Sequence, residues 1–204
     1  MIDQAIEYKS IIMRCDQINK RAYLELDKNV QVEFYQKGME SVWAHIQKSA
    51  GEFSHSTDSE VVAYFINHYA NSQEELEKRC MFLKESNTGK YIGTCMAWFG
   101  KRLEENISVL HWLAVADEFS QRGYARMLIT EVLKKFEQLG QSQKIYLHTQ
   151  PCSYRAIKLY NDFGFCMTKT DTYGTAINEF DQAIPILKQH MTLEAYLKLV
   201  NTSI

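Results

Sequence analysis

Hydrophobic spacing divides this chain into regions of different period. A short apolar run, Ile11-Ile12-Met13 within residues 8 to 15, reads as a strand. Residues 30 to 36 alternate apolar and polar, the pattern of a half-exposed strand. The period then changes. Met39, Val42, Trp43 and Ile46 recur at helical spacing, and Gly51 ends that stretch. Val61, Val62, Phe65, Ile66 and Tyr69 form a second helical face, with Asp58 or Ser59 as its N-cap. The charged stretch 72–79 reads as a solvated helical turn.

The middle of the chain reads as a meander. Cys80 to Leu83 is a short strand, Asn87-Thr88-Gly89-Lys90 is turn chemistry, and Tyr91 to Phe99 is a longer strand. Residues 100 to 106 read as a polar loop and Ile107 to Val115 as the next strand. From there the pattern switches to alternating strand and helix. Helix 123–139 carries Leu128, Val132, Phe136 and Leu139 on one face and ends at Gly140 as its C′ residue. A buried strand follows over 144–149, then a helix over 153–163, then a last strand opening at Gly164-Phe165. Asn178 is placed to cap a helix that Pro185 should kink or break, and residues 192 to 200 form a terminal amphipathic helix. This order predicts one mixed α/β (α+β) domain, a mostly antiparallel twisted sheet flanked by helices, with an added N-terminal segment and C-terminal helix.

Composition narrows the class. A length of 204 residues suits one good core, and two prolines with nine glycines leave no room for a Pro/Gly linker. A formal charge of −2 provides no basic field for nucleic acid or anionic lipid. The five cysteines are odd in number and lack CxxC spacing, so they read as reduced, buried thiols rather than a disulfide framework or a zinc site. The N-terminus has no signal-peptide pattern, and no apolar run approaches the ~20 residues of a membrane span. A cytoplasmic location is expected, with no metal, no nucleic acid and no membrane partner. Edge strands and the C-terminal helix are compatible with a homodimer.

The chemistry concentrates in Leu113-Ala-Val-Ala-Asp-Glu-Phe-Ser-Gln-Arg-Gly-Tyr-Ala-Arg-Met-Leu128. A strand ends at Val115, an acidic loop follows, and a helix opens near Gly123. The first N–H groups of a helix have no intrahelical acceptor, and the macrodipole places partial positive charge there. Small residues at 123 and 125 let an anion approach the backbone, and Arg122 and Arg126 add mobile positive charge. A diphosphate suits such a junction. The alternative is a tight strand-to-helix turn with two solvated arginines. No GxGxxG fingerprint and no Walker lysine loop is present.

This stretch resembles the acetyl-CoA signature of the GNAT family of N-acetyltransferases, Gln/Arg-x-x-Gly-x-Gly/Ala. Gly123 and Ala125 match its last two defined positions, and Ser120 departs at the first. Downstream, Ser153-x-x-Ala156-x-x-Leu159-Tyr160 followed by Gly164-Phe165 is similar to the family's Asn-x-x-Ala-x-x-Leu-Tyr…Gly-Phe segment, with Ser153 in place of Asn. A serine can still cap that helix.

The resemblance implies an acetyl-CoA-dependent N-acetyltransferase, in which an amine attacks the thioester directly through a tetrahedral intermediate. It implies a cofactor set of Leu113, Val115, Gln121, Arg122, Gly123, Tyr124, Ala125, Arg126 and Ser153. It also implies Tyr160 as the general acid for the leaving thiolate, and a backbone N–H near Leu113 to Val115, on a bulged strand, as the oxyanion donor. For the base, His111 and Glu52 both stand as candidates beside readings as a hydrogen-bonded strand histidine and an exposed loop carboxylate. His148 reads as structural. In these terms residues 1–29 form an N-terminal extension, 30–79 the acceptor side, 80–170 the acetyl-CoA core and 171–204 a C-terminal segment. The expected acceptor is a small-molecule amine or a peptide amine. Two alternatives remain: a non-catalytic acyl-CoA-binding module of the same fold, and a phosphate- or nucleotide-binding domain.

Overall fold

The computed structural model describes residue 3 and residues 5 to 204. Its seven strands form one sheet in the order β2-β3-β4-β5-β6-β1-β7. In chain order the elements begin with β1 (Ile11–Cys15), β2 (Val30–Phe34), α1 (Glu40–Ser49), α2 (Asp58–Tyr69) and α3 (Gln73–Arg79). The meander follows as β3 (Cys80–Glu85), β4 (Tyr91–Arg102) and β5 (Glu105–Val115). Next come α4 (Tyr124–Gln138), β6 (Ile145–Thr149), α5 (Tyr154–Asp162), β7 (Phe165–Met167), α6 (Phe180–His190) and α7 (Leu193–Asn201). The described residues divide into two compact units, the first holding residues 24–98 and 111–135, the second residues 5–23, 99–110 and 136–204.

In the first unit α1 and α2 lay their apolar stripes on β3 and β4. Trp43, Ile46, Val61, Phe65, Tyr69, Phe82, Met96 and Trp98 share one buried cluster. Helix α2 starts at a capping box rather than at the expected Asp58 or Ser59. Thr57 accepts from the Glu60 amide, and the Glu60 carboxylate reaches back to the Thr57 N–H at 2.7 Å. Thr57 is the one side chain in this stretch with a glutamate three residues on. A side chain at Gly93 on β4 would put its Cβ 2.6 Å from the Ala114 carbonyl and 2.9 Å from Leu128 Cδ1. Glycine there lets α4 and the end of β5 lie close to β4.

In the second unit β1 is an interior strand, antiparallel to β6 through Ile11↔Thr149 to Cys15↔Ile145 and to β7 through Met13↔Met167. Ile11, Ile12, Met13 and Cys15 are fully buried. The polar Arg14 has partners of its own: it bonds Asp171 at 2.6 Å and Asp16 at 2.8 Å. Strands β5 and β6 run parallel, with register partners Ser108↔Ile145 and Val109↔Tyr146.

Three local expectations need correction. Residues 100 to 106 are mostly strand, because β4 and β5 extend to a tight turn where Leu103 takes φ +54. Arg102 is accommodated there by an ion pair with Asp171 at 3.0 Å. Pro185 does not break its helix: α6 runs through it, and Ala183 and Leu187 on either side are buried and anchor both turns. Asn178 is not the cap, since its amide is committed to the Thr168 and Asp171 carbonyls and Glu179 occupies the N-cap position. All five cysteines are free, and burial pushes the Cys15 thiol up to about 12.

Candidate functional site

The first unit holds the β5–α4 junction. Strand β5 carries an irregularity at Trp112, whose φ of +51 lies in the left-handed region that a bulky side chain rarely adopts. The Trp112 indole is held by other rings. It stands edge-on to Trp43 at 5.3 Å, stacks on Phe53 at 5.5 Å and meets Tyr64 at 6.0 Å. Its carbonyl accepts from Gln47 Nε2 at 3.1 Å. Leu113 and Val115 follow the irregularity and are half-buried. His111 and Leu113 were expected to share a face through strict alternation, and the left-handed residue between them interrupts it. His111 is half-buried beside the Trp112 ring at 5.3 Å.

After β5 the chain makes a single turn over Asp117–Phe119, and Ser120 closes it with an N–H to the Asp117 carbonyl at 2.9 Å. Gln121 at φ +62 and Gly123 at φ +86 then bracket Arg122. A backbone that alternates between right- and left-handed residues can turn successive amides toward a common point, a geometry suited to an anion. Helix α4 opens behind them, and its first intrahelical bond is Met127 N–H to the Gly123 carbonyl at 3.1 Å. The amides of Tyr124 and Ala125 therefore stand at the positive end of a 15-residue helix, where the first turn lacks intrahelical acceptors. A Cβ at Gly123 would sit 3.3 Å from Leu24 Cδ2, in a backbone conformation that side chains disfavour. Gln121, Arg122 and Gly123 are exposed, and Tyr124, Ala125 and Arg126 are half-buried. Arg122 is partly engaged, donating to the Glu118 carbonyl at 3.1 Å with its guanidinium 5.8 Å from the Phe119 ring centre.

Glu52 lies in the loop between α1 and α2, and its N–H donates to the Gln47 carbonyl at 3.0 Å. It is half-buried rather than a fully solvated loop carboxylate, and burial raises its pKa above the usual carboxylate range. Phe53, the next residue, is also left-handed at φ +53. Three of the five non-glycine residues with positive φ among the described residues, Phe53, Trp112 and Gln121, thus belong to this junction and its neighbouring loop.

The second unit holds the β6–α5 junction. Pro151, Cys152 and Ser153 form a turn ahead of α5. Ser153 occupies the N-cap position, but its side chain makes no cap hydrogen bond, contrary to expectation. The Gln150 amide lies 3.5 Å from its hydroxyl. Tyr160 sits on the buried face of α5, 7% exposed, with its ring 6.0 Å from Phe165. His148 on β6 differs from the structural histidine that was expected. Its imidazole is exposed, Nε2 lies 2.9 Å from Ser10 Oγ and 3.4 Å from Tyr8 Oη, and partial burial lowers its pKa below 6.5.

Of the residues singled out in the sequence, the structure therefore gathers Glu52, His111, Leu113, Val115 and 121 to 126 in the first unit. Ser153 and Tyr160 lie in the second. Gln47 and Trp112 were missed, and His148 was read only as structural. For Gln47 a signal was available: it follows Trp43 by four residues, so it is a polar side chain at a buried helical position. Among the described residues no group of three or more His, Cys, Asp or Glu is arranged to hold a metal.

A model of the acetyltransferase (GNAT) family matches residues 39–165, more than half the chain. The chain belongs to the GNAT acetyltransferase family. Solved structures agree in fold. A GCN5-related N-acetyltransferase from Sphaerobacter thermophilus matches with a TM-score of 0.58 at 16% identity, over 82% of this chain and 50% of that one. A GNAT-family acetyltransferase from Colwellia psychrerythraea gives 0.55 at 12% identity, over 81% and 55%. The chain thus spans about half the length of each of those two structures. Spermidine N-acetyltransferase from Vibrio cholerae, solved with CoA and spermine, gives 0.50 at 19% identity over 68% and 81%. The search of curated proteins returns no match. Among the described residues no helix is long and apolar enough to cross a membrane.

Proposed function

We propose that this chain is an acetyl-CoA-dependent N-acetyltransferase acting on a primary amine. The observation that carries the proposal is the turn at 121–126, where two left-handed residues open a long helix whose leading amides have no intrahelical acceptor. These residues fit a diphosphate. Gly123 keeps the cradle free of a side chain, and the helix end supplies the positive complement, with Arg122 and Arg126 beside it.

In the proposed reaction a neutral amine attacks the acetyl carbonyl, the C–S bond breaks, and the coenzyme leaves as a thiol after taking up one proton. The amine loses one proton to a base. The chain supplies three functions. A backbone N–H beyond the Trp112 irregularity donates to the developing oxyanion. The Tyr160 phenol gives its proton to the leaving sulfur. The base is drawn from His148, Glu52 and His111. His148 has the support of being exposed, with Ser10 Oγ 2.9 Å from its Nε2 and desolvation lowering its pKa. The aromatic first-unit loop and the half-buried Glu52 suit an amine that arrives as a cation, such as a small polyamine or a peptide N-terminus.

The test is calorimetry of the purified protein with acetyl-CoA and with ATP, followed by thiol release across a panel of polyamines and peptides. Micromolar acetyl-CoA binding with amine-dependent thiol release is the expected result. Binding without release from any amine leaves a non-catalytic acyl-CoA module, and preference for ATP defeats the proposal.

A further inference from the structure

Gln47 is fully buried on α1, one turn after Trp43, in a cluster that is otherwise aromatic and aliphatic. Its Nε2 donates to the Trp112 carbonyl at 3.1 Å, while its Oε1 is buried with no hydrogen-bond partner. A methionine or leucine would fill this space without an orphaned acceptor, so the amide is retained at a cost to the fold. The carbonyl it holds belongs to the left-handed residue of β5. A trans peptide is planar, with its C=O and N–H pointing in opposite directions. A bond that draws the Trp112 carbonyl toward α1 therefore directs the Leu113 N–H away from α1.

We infer that Gln47 is a positioning residue for acetyl transfer: it locks the 112–113 peptide so that the Leu113 N–H is preset to donate to the acetyl carbonyl. The inference rests on the acetyl-transfer reading above. The Trp112 side chain contributes from the other end of the same residue. Trp43, Phe53 and Tyr64 seat its indole, so both the ring and the carbonyl of the strained residue are held. Removing the amide takes away the hydrogen bond that holds this peptide out of regular strand conformation, and a peptide that rotates back turns the Leu113 N–H with it. Gln47 itself touches no reacting atom.

The experiment needs no acceptor. Acetyl-CoA labelled with carbon-13 at the acetyl carbonyl is bound to the intact protein, and the carbonyl resonance and infrared stretch are compared with those of the free thioester. Wild-type protein is expected to displace both, as a preset donor polarises the carbonyl. Gln47→Met should lose at least about half of that displacement while the Kd for acetyl-CoA changes by less than about twofold, because the phosphate cradle is built elsewhere. Gln47→Glu keeps the shape and adds a pH test. When the buried acid is protonated it can donate to the Trp112 carbonyl and the displacement should persist; when ionised it repels that carbonyl and the displacement should vanish.

A full displacement in Gln47→Met overturns the inference, as does a displacement in Gln47→Glu that is independent of pH. Should Gln47→Met fail to fold, the Gln47→Glu titration decides alone. Failure of the wild-type protein to bind acetyl-CoA overturns the acetyl-transfer reading itself and is told apart by the calorimetric baseline.

Discussion

Two of the strand-to-helix junctions carry the residues that resemble the family's motifs, and they are built differently. Between β5 and α4 the backbone is left-handed at Gln121 and Gly123, the turn is exposed, and the first amides of a 15-residue helix are presented. Between β6 and α5 the turn begins with Pro151, which has no N–H, and Pro151 and Cys152 are buried. No residue from 145 to 163 takes a positive φ. Both helices carry a macrodipole, so the dipole alone does not make an anion site. The first junction is suited to a diphosphate because its backbone is bent to expose amides. The second is suited to holding a side chain, Tyr160, at a fixed place on its helix.

The largest expected effect attacks the first junction. Gly123→Glu forces a side chain into a left-handed position near Leu24 and adds a negative charge in the cradle. Acetyl-CoA affinity should fall by roughly 100-fold or more, measured by calorimetry. Retained micromolar binding would mean that the exposed amides are not the cofactor site. Next comes the second junction. Tyr160→Phe removes one hydroxyl from α5 and should lower kcat by about 100-fold with acetyl-CoA affinity nearly unchanged. A matching loss of affinity would show that Tyr160 serves binding, and the division of labour between the junctions would fail.

Much of this contrast was legible in the sequence, for identifiable reasons. Gly123 and Ala125 stand out because small residues opening an apolar-periodic helix have few structural uses, and the two motifs occur in order. The element sequence from β2 to α5 followed from periodicity, and Gly140 marked the end of α4. What stayed hidden depends on long-range partners. The interior place of β1, between β6 and β7, requires pairing across more than a hundred residues that no local pattern encodes. Trp112 reads as an ordinary strand residue, because a left-handed backbone at a bulky side chain is imposed by the rings and the glutamine around it. His148 alternates like a core residue, and its exposure depends on what its neighbours on the sheet cover. Asn178 and Ser153 carry capping side chains by type, yet tertiary partners or turn geometry divert them.

The base offers a smaller, pH-based test of the second unit. Burial disfavours the imidazolium of His148, so its neutral form persists to lower pH than for a free histidine. If His148 is the base, the acid limb of kcat/KM lies below pH 6.5 and activity is lost as pH falls through it, because the protonated ring cannot accept the amine proton. His148→Gln should abolish that limb. Persistence of the limb in the variant would move the role elsewhere, and burial shifts the Glu52 limb upward from 4.5.

The smallest expected effect separates a side chain that caps from one that merely occupies the capping position. Thr57 makes a full capping box with Glu60, whereas Ser153 makes no side-chain bond to the amides of α5. Replacing an effective N-cap by alanine typically costs about 1 kcal/mol, so Thr57→Ala should lower stability by that amount. Ser153→Ala should change it by less than about 0.5 kcal/mol, because no cap bond is lost. Urea unfolding of the two variants measures the difference directly. Equal losses would mean that the Ser153 hydroxyl does cap α5 in solution, and the β6–α5 junction would then be closed by its serine as well as by its proline. A near-neutral Ser153 would show that this hydroxyl is not needed to cap α5.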